Sequence, residues 1–179
     1  GEAKPHSLFG TLALEALAQV YSTEPDKKIK NSFLKQVDWF LEKGLLPAKD
    51  GMAIRLSREG TRPKKVAGYE TGWYSYKLAD NQLLKALSYA YEWTGKEKYI
   101  KKGRRILNRL INTQFDESYG KAYQGNWCDE YQIKDGCREH SEPKVPVTPD
   151  KNPCWIRPLC TSVALRCLPY FLSVIPSSS

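Results

Sequence analysis

The most chemically loaded stretch of the 179-residue chain runs Tyr123-Gln124-Gly125-Asn126-Trp127-Cys128-Asp129-Glu130-Tyr131, followed by Arg138-Glu139-His140. Trp127 offers a flat apolar face, Asp129 and Glu130 offer carboxylates, and Tyr131 a phenol; these are side-chain types that stack on a ligand ring and move protons. The structural alternative has Trp127 plugging the end of a helical hairpin while Asp129 and Glu130 face solvent. A second stretch, Tyr69-Glu70-Thr71-Gly72-Trp73-Tyr74-Ser75-Tyr76-Lys77-Leu78-Ala79-Asp80-Asn81, joins aromatic faces at Trp73, Tyr74 and Tyr76 to hydrogen-bonding groups at Asp80 and Asn81. Its alternative makes Asp80 a helix cap beneath aromatics that seal a core. Glu70 becomes a general acid only where burial raises its pKa. The third stretch is Trp155-Ile156-Arg157-Pro158, in which Arg157 can pair bidentately with a carboxylate or stand as a surface arginine beside a packed tryptophan. His6 and His140 lie among polar residues and read as exposed loop positions.

Gathered in one groove, these stretches supply catalytic candidates in Asp80, Asp129, Glu130, Tyr131 and Arg157, and substrate-binding candidates in Trp73, Tyr76, Asn81, Trp127 and Trp155. The chemistry forks by geometry. Two carboxylates at roughly 5–10 Å, such as Asp80 with Asp129 or Glu130, act as acid and base in glycoside hydrolysis. In elimination, Arg157 neutralises a uronate carboxylate while Tyr131 or a basic side chain removes the adjacent proton. No cofactor is expected. The spacings Cys128-x8-Cys137 and Cys154-x5-Cys160 differ from the close pairs of common structural zinc sites, although His140 would complete a ligand set. The phosphate-loop, dinucleotide-fold, zincin and serine-hydrolase signatures are missing, which removes support from those classes.

Lys and Arg total 28 against 20 Asp and Glu, a net charge of +8 that favours anionic partners: nucleic acid, anionic lipid or acidic polysaccharide. The cations concentrate between Lys96 and Arg109, seven against the single Glu97, and read first as a solvated helix face and second as a binding patch. Nucleic-acid binding rests on charge alone, without a helix-turn-helix or RNA-binding signature. No apolar run approaches the ~18–20 residues that cross a bilayer, and Gly1-Glu2-Ala3-Lys4-Pro5 lacks a signal peptide's apolar core. The 5 cysteines all lie in the last third of the chain, in and beyond an aperiodic, proline-rich loop. Two disulfides stapling that loop would place the protein outside the cytoplasm, secreted or periplasmic; reduced thiols are the alternative. Cys167, within an apolar helical pattern, reads as a small core residue.

The elements that must position these residues are helices. Ala13, Ala16, Leu17, Val20 and Tyr21 keep helical spacing after Ser7, and Ile29, Phe33, Val37, Phe40 and Leu41 form a second stripe ending at Gly44, suited to a left-handed turn. Residues 45–79 read as loop with one short hairpin. After Asp80 as N-cap, Leu83, Leu84, Leu87, Ala90 and Tyr91 make a third stripe stopping near Thr94-Gly95, and Tyr99, Gly103, Leu107, Leu110 and Ile111 a fourth. A shift of 70 residues lays the second pair on the first, with breakers coinciding, which predicts a structural repeat. A fifth helix starts near Pro158 and is kinked by Pro169. The fold expected is all-α: one domain over 1–179, with a hairpin over 7–44, a loop over 45–79, a hairpin over 80–113, a cysteine-containing loop over 114–157 and a helix over 158–175.

The run from Asn81 through Ala86-Leu87-Ser88-Tyr89-Ala90-Tyr91-Glu92-Trp93-Thr94-Gly95-Lys96-Glu97-Lys98-Tyr99 resembles the inner-helix, short-turn, outer-helix unit of the (α/α) toroids. That group includes six-hairpin glycosidases, uronate-directed polysaccharide lyases and sugar epimerases. The resemblance, over residues 7–125, implies a substrate cleft at the N-terminal ends of the inner helices, lined by long aromatic and acidic loops. The Trp127-Cys128 start is similar to a cleft loop in a family of pectate lyases. Five helices are fewer than a closed toroid needs, so the expectation is a partial arc. Two functions follow: an exported carbohydrate-active protein that binds, hydrolyses or eliminates a polysaccharide, possibly uronate-containing, or a non-catalytic helical scaffold. In the second, the open ends of the arc pack against another copy or a partner chain.

Overall fold

The computed structural model describes residues 7–48, 51–54, 65–66, 69–70, 73–112, 114, 124–125, 127, 130–133 and 158–176. Among them five α-helices carry the fold: α1 (Ser7–Thr23), α2 (Lys27–Trp39), α3 (Lys77–Thr94), α4 (Glu97–Asn112) and α5 (Pro158–Val174). A π-helical turn, Phe40–Gly44, extends α2. Strands β1 (Leu45–Ala48), β2 (Gly51–Ile54), β3 (Lys65–Val66), β4 (Tyr69–Glu70), β5 (Trp73–Tyr76) and β6 (Glu130–Ile133) form only two-stranded antiparallel pairs, β1–β2, β3–β4 and β5–β6. The fold class is all-α, as expected, with short ribbons in the connections.

Local chemistry sets the helix ends. Asp26, in extended backbone, caps α2 by accepting from the Lys28 and Ile29 amides. Gly95, at φ +66°, closes α3 with its amide on the Tyr91 carbonyl at 2.6 Å, a left-handed stop at the position expected. Gly44 is different. It is not among the glycines of positive φ; a Cβ there would stand 2.7 Å from the Phe40 ring, so the residue serves close packing and not a left-handed turn. Helix α3 also begins three residues before Asp80, because β5 runs directly into it and Leu78 and Ala79 already continue the buried stripe.

The helices form two layers. α3 packs between α1 and α5, while α2 lies against α1 and α4 against α3. Level contacts show that α1, α3 and α5 run parallel. The Thr11 hydroxyl donates to Gln82 Oε1 at 2.7 Å, and Lys85 meets Glu15 at 3.2 Å, one helical turn further along both chains. Arg166 reaches the other Glu15 oxygen at 3.0 Å, so one carboxylate ties together all three helices. Further along, the Tyr170 hydroxyl donates to Glu92 at 2.6 Å and its ring lies 5.0 Å from that of Tyr89. The offset between α1 and α3 in these pairs, 70 to 71 residues, is the shift at which the sequence superimposes on itself.

α1 and α2 are antiparallel, with Gln36 on the Gly10 carbonyl and Lys30 over the Tyr21 ring. The core is continuous, built from Leu14, Phe33, Val37, Phe40, Leu83, Leu84, Leu87, Tyr99, Ile106, Leu110 and Phe171 among others. Each such side chain contributes about 1.5–3 kcal/mol by leaving water. The Phe171 ring of α5 packs onto α4 at Gly103, where a Cβ would fall 2.3 Å from the ring. Pro169 lies inside α5, and the helix continues through it to Val174.

This up-down order separates two ends. At one, the connections are a few residues long, sealed by Trp93 against Tyr21 and Phe33 at 4.5 and 4.7 Å. At the other, β1 leaves the π-helical turn, β5 runs into the N-terminus of α3, and β2 contacts both β5 and α4.

Candidate functional site at the N-terminal end of the inner helices

β5 leads straight into α3, and β6 pairs with β5 in the register Trp73↔Ile133, Tyr74↔Gln132, Ser75↔Tyr131 and Tyr76↔Glu130. Two of the three stretches singled out by residue type, far apart in sequence, are therefore joined by a backbone ladder. Residues directly opposite in such a pair stand roughly 4.5–5.5 Å apart at Cβ.

Directly after β5, the first turns of α3 carry polar side chains into the interior. Asp80 and Asn81 are both 0% exposed and Gln82 is buried, with Thr11 on its amide oxygen. Asp80 is the fourth residue of α3, inside its first turn, so the capping role is replaced by a carboxylate near the positive end of the helix dipole. Asp80 and Asn81 thus put two polar side chains into the interior within the first turns of α3, directly after β5 in the chain.

Trp127 is 6% exposed, and its indole Nε1 donates to the Leu110 carbonyl at 2.7 Å, in the last turn of α4. This is the end-plug arrangement weighed for it as a structural alternative. Gln114 holds the same loop by donating to the Gly125 carbonyl at 2.7 Å, and Gly125 takes φ +80°. The anchor fixes the chain three residues before Glu130, so β6 is held by Trp127 on one side and by β5 on the other. Strand β2 in turn contacts both α4 and β5.

Trp73, Tyr76, Glu130 and Tyr131 thus stand on one ribbon, Trp73 and Tyr131 on one face and Tyr76 and Glu130 on the other, while Asp80 and Asn81 are buried in the helix that follows β5. Asp129, Trp155 and Arg157 lie outside the described residues, as do His6, His140, Cys128, Cys137 and Cys154. Among the described residues no group of three or more His, Cys, Asp or Glu could hold a metal ion, and no helix is long and apolar enough to cross a membrane.

Several polar residues of consequence went unread in the sequence. Arg109 was grouped with the wet cations of α4, yet it is fully buried, because it falls on the stripe of Ile106 and Leu110. The Lys96–Arg109 run is therefore split by the helix into an exposed face and one interior guanidinium. Elsewhere, burial first and the Glu92 carboxylate second push the Tyr170 phenol well above its ordinary range. Burial, then Asp38, does the same for Tyr99. Asp38 also binds Lys98 at 2.7 Å and raises its pKa.

Residues 49–141, more than half of the chain, match the family described as D-glucuronyl C5-epimerase C-terminus. No curated protein matches. The matched stretch holds both strands of the β5–β6 ribbon, the buried polar turn of α3, all of α4 and the Trp127 anchor, and on this match the chain belongs to the D-glucuronyl C5-epimerase C-terminus family.

Proposed function

We propose that this protein inverts C5 of D-glucuronyl units in a polysaccharide, at the ribbon end of its inner helices. The observation that carries the reading is the β5–β6 ladder, whose register puts Trp73 and Tyr131 on one face of the ribbon and Tyr76 opposite Glu130 on the other, inside the family-matched stretch. The chemistry begins as elimination does. Neutralising the uronate carboxylate acidifies the C5 proton; a base takes it, the C5–H electrons delocalise into the carboxyl group, and a proton returns to the opposite face. No atoms are lost or gained, and no cofactor is required. Arg157 is proposed as the partner of the carboxylate, Tyr131 as one proton carrier and Asp129 as the other, while Glu130, on the opposite face of β6 from Tyr131, is proposed to bind substrate beside Tyr76. Trp73 and Trp155 pack on sugar rings on the Tyr131 side and Tyr76 on the Glu130 side, Asp80 and Asn81 make the start of α3 polar directly after β5 in the chain, and Trp127 anchors the approach to β6 on α4.

Deuterium oxide tests this directly. A glucuronate-containing polysaccharide incubated with the protein should gain deuterium at C5 and show both C5 configurations by NMR. Tyr131→Phe and Arg157→Ala should slow incorporation about 100-fold or more at unchanged thermal stability. Unsaturated products would make the protein a lyase and shortened saturated ones a hydrolase. A folded sample producing none of these overturns the enzymatic reading.

The second reading, a helical scaffold completed by a further copy or a partner chain, is favoured by the two edges of the inner row. Leu12 and Val20 on α1, and Leu165 and Leu172 on α5, are 42–73% exposed. The row with its outer helices is proposed as an arc of the toroid type, and the protein as exported, on the clustering of its cysteines.

A further inference from the structure

The exposed face of α4 carries a line of polar side chains at helical spacing: Lys98, Lys101, Arg105, Asn108 and Asn112, with Arg104 beside it. At 1.5 Å per residue the line is about 21 Å long. It starts at the end with short turns and finishes in the last turn of α4, where Trp127, three residues before β6 in the chain, docks on the Leu110 carbonyl. The cations are unevenly engaged. Lys98 is held by Asp38 and lies 4.9 Å from the centre of the Tyr99 ring, whereas Lys101, Arg104 and Arg105 have no ion-pair partner among the described residues. Glu97 is the one acidic residue of the helix. Such a face repels other cationic surfaces and concentrates a polyanion.

We infer that this face is a track for the substrate polymer outside the reacting site: a uronate-bearing chain lies along α4, its carboxylates on Lys101, Arg104 and Arg105 and its hydroxyls on Asn108 and Asn112, and is delivered to the ribbon. This rests on the proposed activity for the identity of the polymer. Two features favour a uronate chain over a single-stranded nucleic acid. The track has no exposed aromatic on which bases could stack, and it ends in amides suited to hydroxyls. A track of this length also implies that long chains bind better than short ones, because only they occupy both places.

The test uses glucuronate oligomers of graded length, dextran oligomers as neutral controls, and a thymidine oligonucleotide of matched charge. The triple variant Lys101→Glu, Arg104→Glu, Arg105→Glu should bind long glucuronate oligomers about tenfold or more weakly, with a flattened salt dependence. It should exchange the C5 proton of short oligomers at the parent rate. Exposed side chains are changed, and the Gln triple should fall between parent and Glu triple. A Glu triple that keeps the parent's preference for long chains overturns the track, and so does parent protein that binds the oligonucleotide as tightly as the uronate. If length-dependent binding collapses in the variant but neither protein exchanges C5 protons, the track stands and the epimerase reading falls. If exchange proceeds and chain length has no effect, the reverse holds.

Discussion

Arg109 and Arg105 are the same residue type four positions apart, and one is fully buried while the other is exposed. Type alone does not separate them; phase on the helix does, and the apolar spacing of Ile106 and Leu110 contained that phase. A guanidinium on a buried stripe was nevertheless read with its charged neighbours, because burial of arginine requires partners that no local pattern displays. Cys167 is the opposite case, since its position in an apolar stripe was legible and the structure buries it completely. Burial also pushes its thiol pKa upward, away from the reactive thiolate. A prediction joins this to the other four cysteines. Alkylation of the unfolded, unreduced protein should modify one thiol, Cys167, and alkylation of the native protein should leave it largely untouched. Five modified thiols would remove the disulfides, and with them the basis for proposing export.

Where elements meet, glycine choices carry much of the geometry. Gly103 leaves room on α4 for the Phe171 ring of α5, so Gly103→Ala should cost about 1–3 kcal/mol through overpacking, measured by urea unfolding. In a Phe171→Leu background the same change should cost far less, since space opens and alanine favours helix by about 1 kcal/mol. Equal costs in both backgrounds would show that the ring contact is not what limits the approach. The five helices were readable because their apolar stripes are long and their breakers clear: Gly95 ends α3 as expected. The start of α3 was not, because Asp80 is a good cap by type, and only the pairing of β5 with β6 reveals that the preceding strand leaves no room for a looser entry. That same ladder is the part of the site that was hidden. Both stretches were identified by residue type, but nothing within either encodes a partner more than fifty residues away.

For the molecule as a whole, the repeat was legible as a 70-residue shift, and the structure uses that number as the register between neighbouring inner helices. The row it builds has two apolar edges, and a face of that kind in water favours association. Light scattering at increasing concentration should therefore show self-association that Leu165→Lys with Leu172→Lys abolishes, without loss of helix content. A parent protein that stays monomeric at all concentrations would overturn the homo-oligomer version of the scaffold. Glu15, finally, accepts Lys85 from α3 and Arg166 from α5 at once. Three positions spread over 151 residues thus share a single negative charge. Replace Glu15 alone and two cations face each other across the row; replace a cation with it and part of that repulsion vanishes. The history of substitutions at any one of these sites is therefore conditional on the other two, and the inner row inherits changes as a set.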